Sequence, residues 1–229
     1  MNIKYPISSV AELLAEPARA GMLVALLEGR ALPAGELAMI AGVSAQSASA
    51  HLSKLVDGGL LRVQSEGRHR YYRIANAEVG HAIEALGTIS TMPNRSSIPQ
   101  RPEADALRAA RSCYDHLAGR VAVELRKALE ESKIIVPVGG RDYQVSSRGE
   151  RWFREMGIDV GALRSLRRAF ARQCLDWTER TPHVAGALGR ALYERLLELG
   201  WIAPRPGTRA VRVTHRGARE LQARFRIIA

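Results

Sequence analysis

Val43 to Ile74, VSAQSASAHLSKLVDGGLLRVQSEGRHRYYRI, decides the fold. Ser44 can accept a bond from an orphan helix N–H, so it predicts the start of a helix. Ala48, Leu52, Leu55 and Val56 then recur at helical spacing and define a core face. The other face carries Gln46, Ser47, Ser49, Ala50, His51 and Lys54, which are short, polar, and neutral or basic. Such a face suits a major groove, with Gln, Ser and His reaching base edges and Lys a phosphate. Gly58-Gly59 ends the helix. Leu60–Val63 and Tyr71–Ile74 read as two strands, and the tip between them holds Arg68, His69 and Arg70, suited to phosphates or a minor groove.

Outward from this stretch, Pro33 to Ile40 predicts a short positioning helix with Ala34, Leu37 and Ile40 facing in. Ile7 to Leu27 predicts a helix that Pro17 kinks or restarts, and Ala75 to Ile89 another with Asn76 as its cap. The run Leu14-Ala15-Glu16-Pro17-Ala18-Arg19, the segment Leu26 to Leu61, and EGRHRYYRI at Glu66 to Ile74 together resemble the winged helix-turn-helix of ArsR/SmtB-type transcriptional repressors. The resemblance spans about residues 10 to 90. It implies a homodimer paired through the first and fifth helices, with Val10, Leu13 and Leu14 at that interface, and a double-stranded DNA operator as partner. It also implies Ser44, Gln46, Ser47, Ser49, His51, Lys54, Arg68, His69 and Arg70 as DNA-binding residues. A winged helix that packs on protein, without operator specificity, is the competing class.

The chain has 229 residues, two cysteines and a formal charge of +11. The charge is unevenly placed. Residues 1–95 hold 9 Lys/Arg against 8 Asp/Glu, whereas residues 96–229 hold 25 against 15. Overall basicity therefore says little about the reading helix, although residues 44–73 carry five Lys/Arg against two acids. Two cysteines fit a reducing compartment rather than a disulfide scaffold. With no leader-like start and no apolar run of membrane-spanning length, the expectation is a soluble, cytoplasmic protein with no membrane partner.

Ser90 to Glu103, rich in Pro and Ser, predicts a linker. The expected organisation is a winged helix-turn-helix at 1–90, a linker at 91–103 and a sensor or effector domain at 104–229. The fold class is mainly α with small β-hairpins, an α+β chain. Ala104 to Glu131 predicts one long helix, or two broken at Gly119. Hairpins follow around Gly139-Gly140 and around Pro204–Gly207, each leading into a helix. Val160–Arg172 predicts a basic helix, and Pro182 or His183 starts another through Leu199. The segments 52–86, 125–158 and 192–225 share one helix–hairpin–helix pattern, the last two also through YQVSSRG and VRVTHRG. Two winged-helix-like units, or simply a common α+β motif, account for this equally.

The positions where the resembled family often holds a metal look absent: the positioning helix has no Cys-x-Cys, and the helix after the wing has His81 without a second His downstream. Beyond the linker, Cys113 and His116 are spaced i, i+3, and Cys174 precedes His183. Cys113, His116, Cys174 and His183 would make a Cys₂His₂ set for a thiophilic metal ion or a redox signal. Buried cysteines that act as small hydrophobes, or a pocket for a small organic effector lined by Tyr114, Trp177 and Trp201, are the alternatives. Catalysis is not expected: there is no phosphate-binding glycine loop and no nucleophile elbow, and one Cys–His turn is a weak signal.

Overall fold

The computed structural model describes residues 6–66, 69–89, 102–113 and 115–228. The chain forms two compact units, Met1–Pro99 and Gln100–Ala229.

In the first unit, α1 (Pro6–Leu14) and α2 (Pro17–Leu26) are separate helices. The break falls where Glu16 caps α2 with Pro17 at its first turn. Arg19 is buried, and its guanidinium donates to the carbonyls of Leu13 (2.7 Å) and Glu12 (2.7 Å), which α1 leaves without helical partners. α3 (Ala34–Ala41) and α4 (Ala45–Asp57) follow, the latter capped by Ser44. The wing is β2 (Leu61–Glu66) against β3 (His69–Ile74), and the short β1 (Leu32–Pro33) lies on the outside of β3. α5 (Ala77–Ile89) is capped by Asn76, whose side chain accepts from Val79 N–H at 2.9 Å. Met22, Leu23, Leu26, Leu37, Ala48, Leu52, Leu55, Leu61 and Tyr72 form the core. The apolar stripe of α4 predicted above is thus its buried face.

The second unit departs from the sequence expectation. The stretch 104–131 is not one long helix. α6 (Pro102–Ala109), which starts within the predicted linker, stops. β4 (Arg111–Cys113) and β5 (His116–Ala118) then form a tight hairpin, and α7 (Arg120–Glu131) begins only after Gly119. The cause is local. Gly119 has φ +87°, and a Cβ there would lie 2.7 Å from Arg108 O, so no ordinary residue carries a helix through this point. The hairpin β6 (Ile135–Val138)/β7 (Asp142–Val145) and α8 (Ser147–Glu155) follow as expected. The predicted basic helix is only α9 (Val160–Arg164). The predicted helix start at residues 182–183 is instead β9 (Pro182–Ala185), paired with β8 (Arg172–Leu175). α10 (Gly186–Glu198), the hairpin β10 (Ile202–Pro204)/β11 (Val211–Val213) and α11 (His215–Phe225) complete the unit.

This unit is a duplication that reaches further upstream than the two repeats legible in sequence. Each half runs strand, strand, glycine, helix, hairpin, helix. Arg111–Cys113 corresponds to Arg172–Cys174, Asp115 to Asp176, and His116-Leu117-Ala118-Gly119 to His183-Val184-Ala185-Gly186. Gly186, with φ +82° and Ala169 O where a Cβ would go, repeats the constraint at Gly119. Ser146 and Thr214 are matching caps, accepting from Gly149 N–H and Gly217 N–H.

The halves are intertwined. Tyr143 N–H donates to Ala171 O (3.0 Å) and Gln173 N–H to Arg141 O (2.7 Å), so the first half's hairpin extends the second half's strands in the order β6-β7-β8-β9. The mirror bonds are Val211 N–H to Ala110 O (2.9 Å) and Ser112 N–H to Arg209 O (2.9 Å), which join β11 to β4. α7 packs against β9 and α10 against β5. A shared core of Leu117, Val121, Leu129, Phe153, Val184, Leu188, Leu196, Trp201 and Leu221 fills the space between.

Candidate nucleic-acid interface and a cysteine–histidine cluster

In the first unit, the buried face of α4 (Ala48, Leu52, Leu55) leaves the opposite face to solvent. At 100° per residue that face is centred on Gln46, Ala50, Ser53 and Asp57, flanked by Ser49 and Lys54. Gln46, Ser49 and Lys54 are exposed there. Ser44 holds the helix start, accepting from Ser47 N–H at 3.2 Å, and Ser47 is half-buried. His51 lies on the flank toward α2, with Nδ1 3.5 Å from Glu16 Oε2. It is therefore turned partly away from the outer face on which the sequence reading put it. Ser53 was missed in sequence. Its position follows from the same periodicity once the core face is known, and its hydroxyl donates to Asp57 at 3.2 Å.

Between α4 and the wing runs an open groove of about 500 Å³, lined by Gly35, Ser49, Ser53, Val63, Arg70 and Tyr72 among others. Arg70 is exposed and sits opposite Ser65 in the β2–β3 register. Arg68 lies outside the described residues; of His69 only the backbone, in β3, is described. Ile7 and Val10 on α1 and Leu86 and Ile89 on α5 are exposed apolar residues of this unit. Leu13 and Leu14 instead pack against the core.

The second unit gathers all four cysteine and histidine residues singled out in sequence. Their ligand atoms lie within 4.8 Å of one another. They meet differently from the expected helix face. Cys113 and His116 are directly opposite each other across β4–β5, and Cys174 and His183 across β8–β9. Each half of the duplication thus supplies one Cys and one His. Cys113, His116 and His183 are buried, and Cys174 is partly so. The imidazole Nε2 atoms of His116 and His183 face each other at 3.1 Å.

The outer nitrogens of both rings face carboxylates. His116 Nδ1 is 3.3 Å from Asp115 Oδ1, and His183 Nδ1 is 3.2 Å from Asp176 Oδ2, the latter at ion-pair distance without hydrogen-bond alignment. Each carboxylate has its own cation. Arg168 reaches Asp115 at 2.7 Å, and the fully buried Arg111 reaches Asp176 at 2.9 Å. Asp176 also accepts from Gly119 N–H (2.7 Å), Thr178 N–H (2.9 Å) and the Thr178 hydroxyl (2.6 Å). Burial alone would raise the Asp176 pKa, but the nearby His183 imidazole, the Arg111 charge and these donors hold it far below the usual carboxylate range. For His183, burial pulls the pKa down, and interaction with Asp176 and Cys113 outweighs it, so the net direction is up. Of the aromatic residues expected to line an organic pocket, Tyr114 lies outside the described residues, Trp201 is in the core, and Trp177 stacks on Arg111, its ring centre 5.3 Å from the guanidinium.

The chain is similar to known proteins. A family described as a helix-turn-helix domain matches residues 14–64. A Bacillus subtilis (strain 168) protein named as the uncharacterised HTH-type transcriptional regulator YdfF is 44% identical over 211 residues, covering 92% of this chain and 93% of that protein. The HTH-type transcriptional regulator CmtR of Mycobacterium tuberculosis (strain ATCC 25618 / H37Rv) is 40% identical over 73 residues, 32% of this chain and 61% of its own length. Among solved structures, the homodimeric winged helix-turn-helix domain (fragment 1–100) of a possible ArsR-family regulator from Mycobacterium bovis is 30% identical. It covers 37% of this chain and 77% of that one, with a TM-score of 0.35. Among the described residues, no helix is long and apolar enough to cross a membrane.

Proposed function

The chain belongs to the HTH-type transcriptional regulators of the ArsR family, not to the enzymes, and from that premise we propose that it is a sequence-specific, dimeric repressor. The observation that carries this reading is the outer face of α4, polar and without net charge because Lys54 is offset by Asp57, beside a groove that Arg70 also lines. A face of this kind discriminates by hydrogen bonds to base edges, because charge alone would grip any duplex. Gln46 and Ser49 lead that face, with Ser53 deeper in the groove. Ser44 and Ser47 lie at the helix N-terminus, where backbone N–H groups favour a phosphate. Lys54 and the wing residues Arg68, His69 and Arg70 supply backbone contacts. His51 stands at the edge of the contact, its ring shared with Glu16.

Ile7, Val10, Leu86 and Ile89 give α1 and α5 an apolar surface that a second copy would cover. A two-fold pair sets two reading helices one turn of DNA apart, and so calls for a pseudo-palindromic site. The second unit receives the signal, a ligand, metal or redox change, and shifts the pair between DNA-competent and incompetent states.

Light scattering and nuclease protection on the promoter of its own gene test the reading together. A mass twice 25.1 kDa and two protected half-sites about 10 base pairs apart, centre to centre, are expected. A monomer that protects no site would leave the winged helix as a protein-binding module.

A further inference from the structure

We infer that Cys113, His116, Cys174 and His183 form a tetrahedral site for one Zn²⁺, placed where the two halves of the second unit meet. The site lies outside the helices that form the winged helix-turn-helix, on strands of the second unit.

Geometry is the first argument. Metal–nitrogen bonds of about 2.0–2.1 Å set two nitrogens of a tetrahedral cation roughly 3.3 Å apart. The two Nε2 atoms here are 3.1 Å apart, and all four donor atoms fall within 4.8 Å. Cys₂His₂ is a donor set that suits Zn²⁺ in a closed site.

The second argument comes from the protons. Both Nδ1 atoms face carboxylates, at 3.3 and 3.2 Å. If each carries its proton toward that carboxylate, both Nε2 lone pairs point at one another. Two buried acceptors at 3.1 Å repel unless a cation lies between them. The carboxylate behind each imidazole is the arrangement that orients metal-bound histidine and fixes its tautomer.

Charge gives the valence. Asp115 is matched by Arg168 and Asp176 by Arg111, so the surroundings are neutral without the cluster. Two thiolates and two neutral imidazoles then need a dication to leave the buried site uncharged. A monovalent soft cation would leave one negative charge there.

The ion would join β4–β5 of one half to β8–β9 of the other, across a boundary otherwise held by strand pairing, core packing and the bonds of Asp176 to Arg111 and Gly119. The duplicated Cys-x-Asp at 113–115 and 174–176, and His-x-Ala-Gly at 116–119 and 183–186, read as one half-site written twice.

The test uses full-length protein, reduced, stripped with chelator and titrated with Co²⁺ as the spectroscopic probe, then with Zn²⁺. The expected result is one Co²⁺ per chain, with the intense visible bands of tetrahedral coordination and a near-ultraviolet thiolate charge-transfer band, both erased by one Zn²⁺. Cys174→Ser, at the least buried ligand, should weaken that charge-transfer band and lower affinity. Asp115→Asn, a positioning change behind His116, should keep the tetrahedral spectrum and lower affinity about 10- to 100-fold. Weak octahedral bands, tight binding unchanged by Cys174→Ser, or a Cys113–Cys174 disulfide in place of metal uptake would each overturn the site. Should the variants misfold by circular dichroism, the wild-type spectrum decides alone. The signal-receiving role rests on the repressor reading, so operator binding is measured separately in the same samples. Co²⁺ uptake without DNA binding counts against the repressor reading only, and DNA binding without Co²⁺ uptake counts against the metal site only.

Discussion

Gln46 on the exposed face of α4 and Arg70 on the wing should fail in different ways. Gln46 projects from the exposed face of α4, where an amide can pair with two atoms of one base. Gln46→Ala should therefore reduce preference for the operator by about 1–3 kcal/mol at the base pair it reads, and leave binding to unrelated duplex nearly unchanged. Arg70 comes from a strand of the wing, and the proposed reading gives it a phosphate rather than a base. Arg70→Ala should weaken binding to every sequence alike and lower the salt slope by about 0.9. Competition titrations with operator and scrambled duplexes at several salt concentrations measure both. Equal losses on the two duplexes for Gln46→Ala would remove it from base reading.

At the scale of elements, the glycines that precede α7 and α10 matter most. Gly119 and Gly186 hold φ of +87° and +82°, with a carbonyl 2.7 Å from where each Cβ would sit. Gly119→Ala and Gly186→Ala should each cost on the order of 1–3 kcal/mol of stability, read as a lower urea midpoint at unchanged slope. An unchanged midpoint in either variant would show that the turn is not as tight as described. These same turns explain what the sequence could and could not disclose. The winged helix-turn-helix was legible because its long helix has a clean apolar stripe, a serine cap and a double-glycine stop. β4, β5, β8 and β9 are three or four residues long and lie next to helices, so residues such as Leu107, Ala110, Tyr114 and Leu117 happened to continue a helical period. Gly119 was visible as a break, but its positive φ was not. The pairing of Cys113 with Cys174 depends on how the halves interlock, and no spacing along the chain encodes that. The recurrence of Cys-x-Asp before His-x-Ala-Gly was the available signal, and the six extra residues between Asp176 and His183 hid it.

For the molecule as a whole, the two units divide the work. The first has almost no net charge and carries the winged helix-turn-helix; the second is duplicated, basic and holds the cysteine–histidine cluster. A cation bound only by the folded form should stabilise the second unit by about 2.7 kcal/mol when present at 100 times its dissociation constant. Thermal melts with Zn²⁺ and with chelator should differ accordingly, and coincident melts would deny the cluster any part in stability. Operator recognition is measured most directly by fluorescence anisotropy of the full-length protein on its own promoter DNA and on a scrambled duplex, across a salt series. Sequence-specific recognition should give tighter binding to the promoter by about 10³-fold or more, and affinities that fall steeply with salt on both duplexes. Equal affinity for the two duplexes, or no binding to either at low salt, would contradict it.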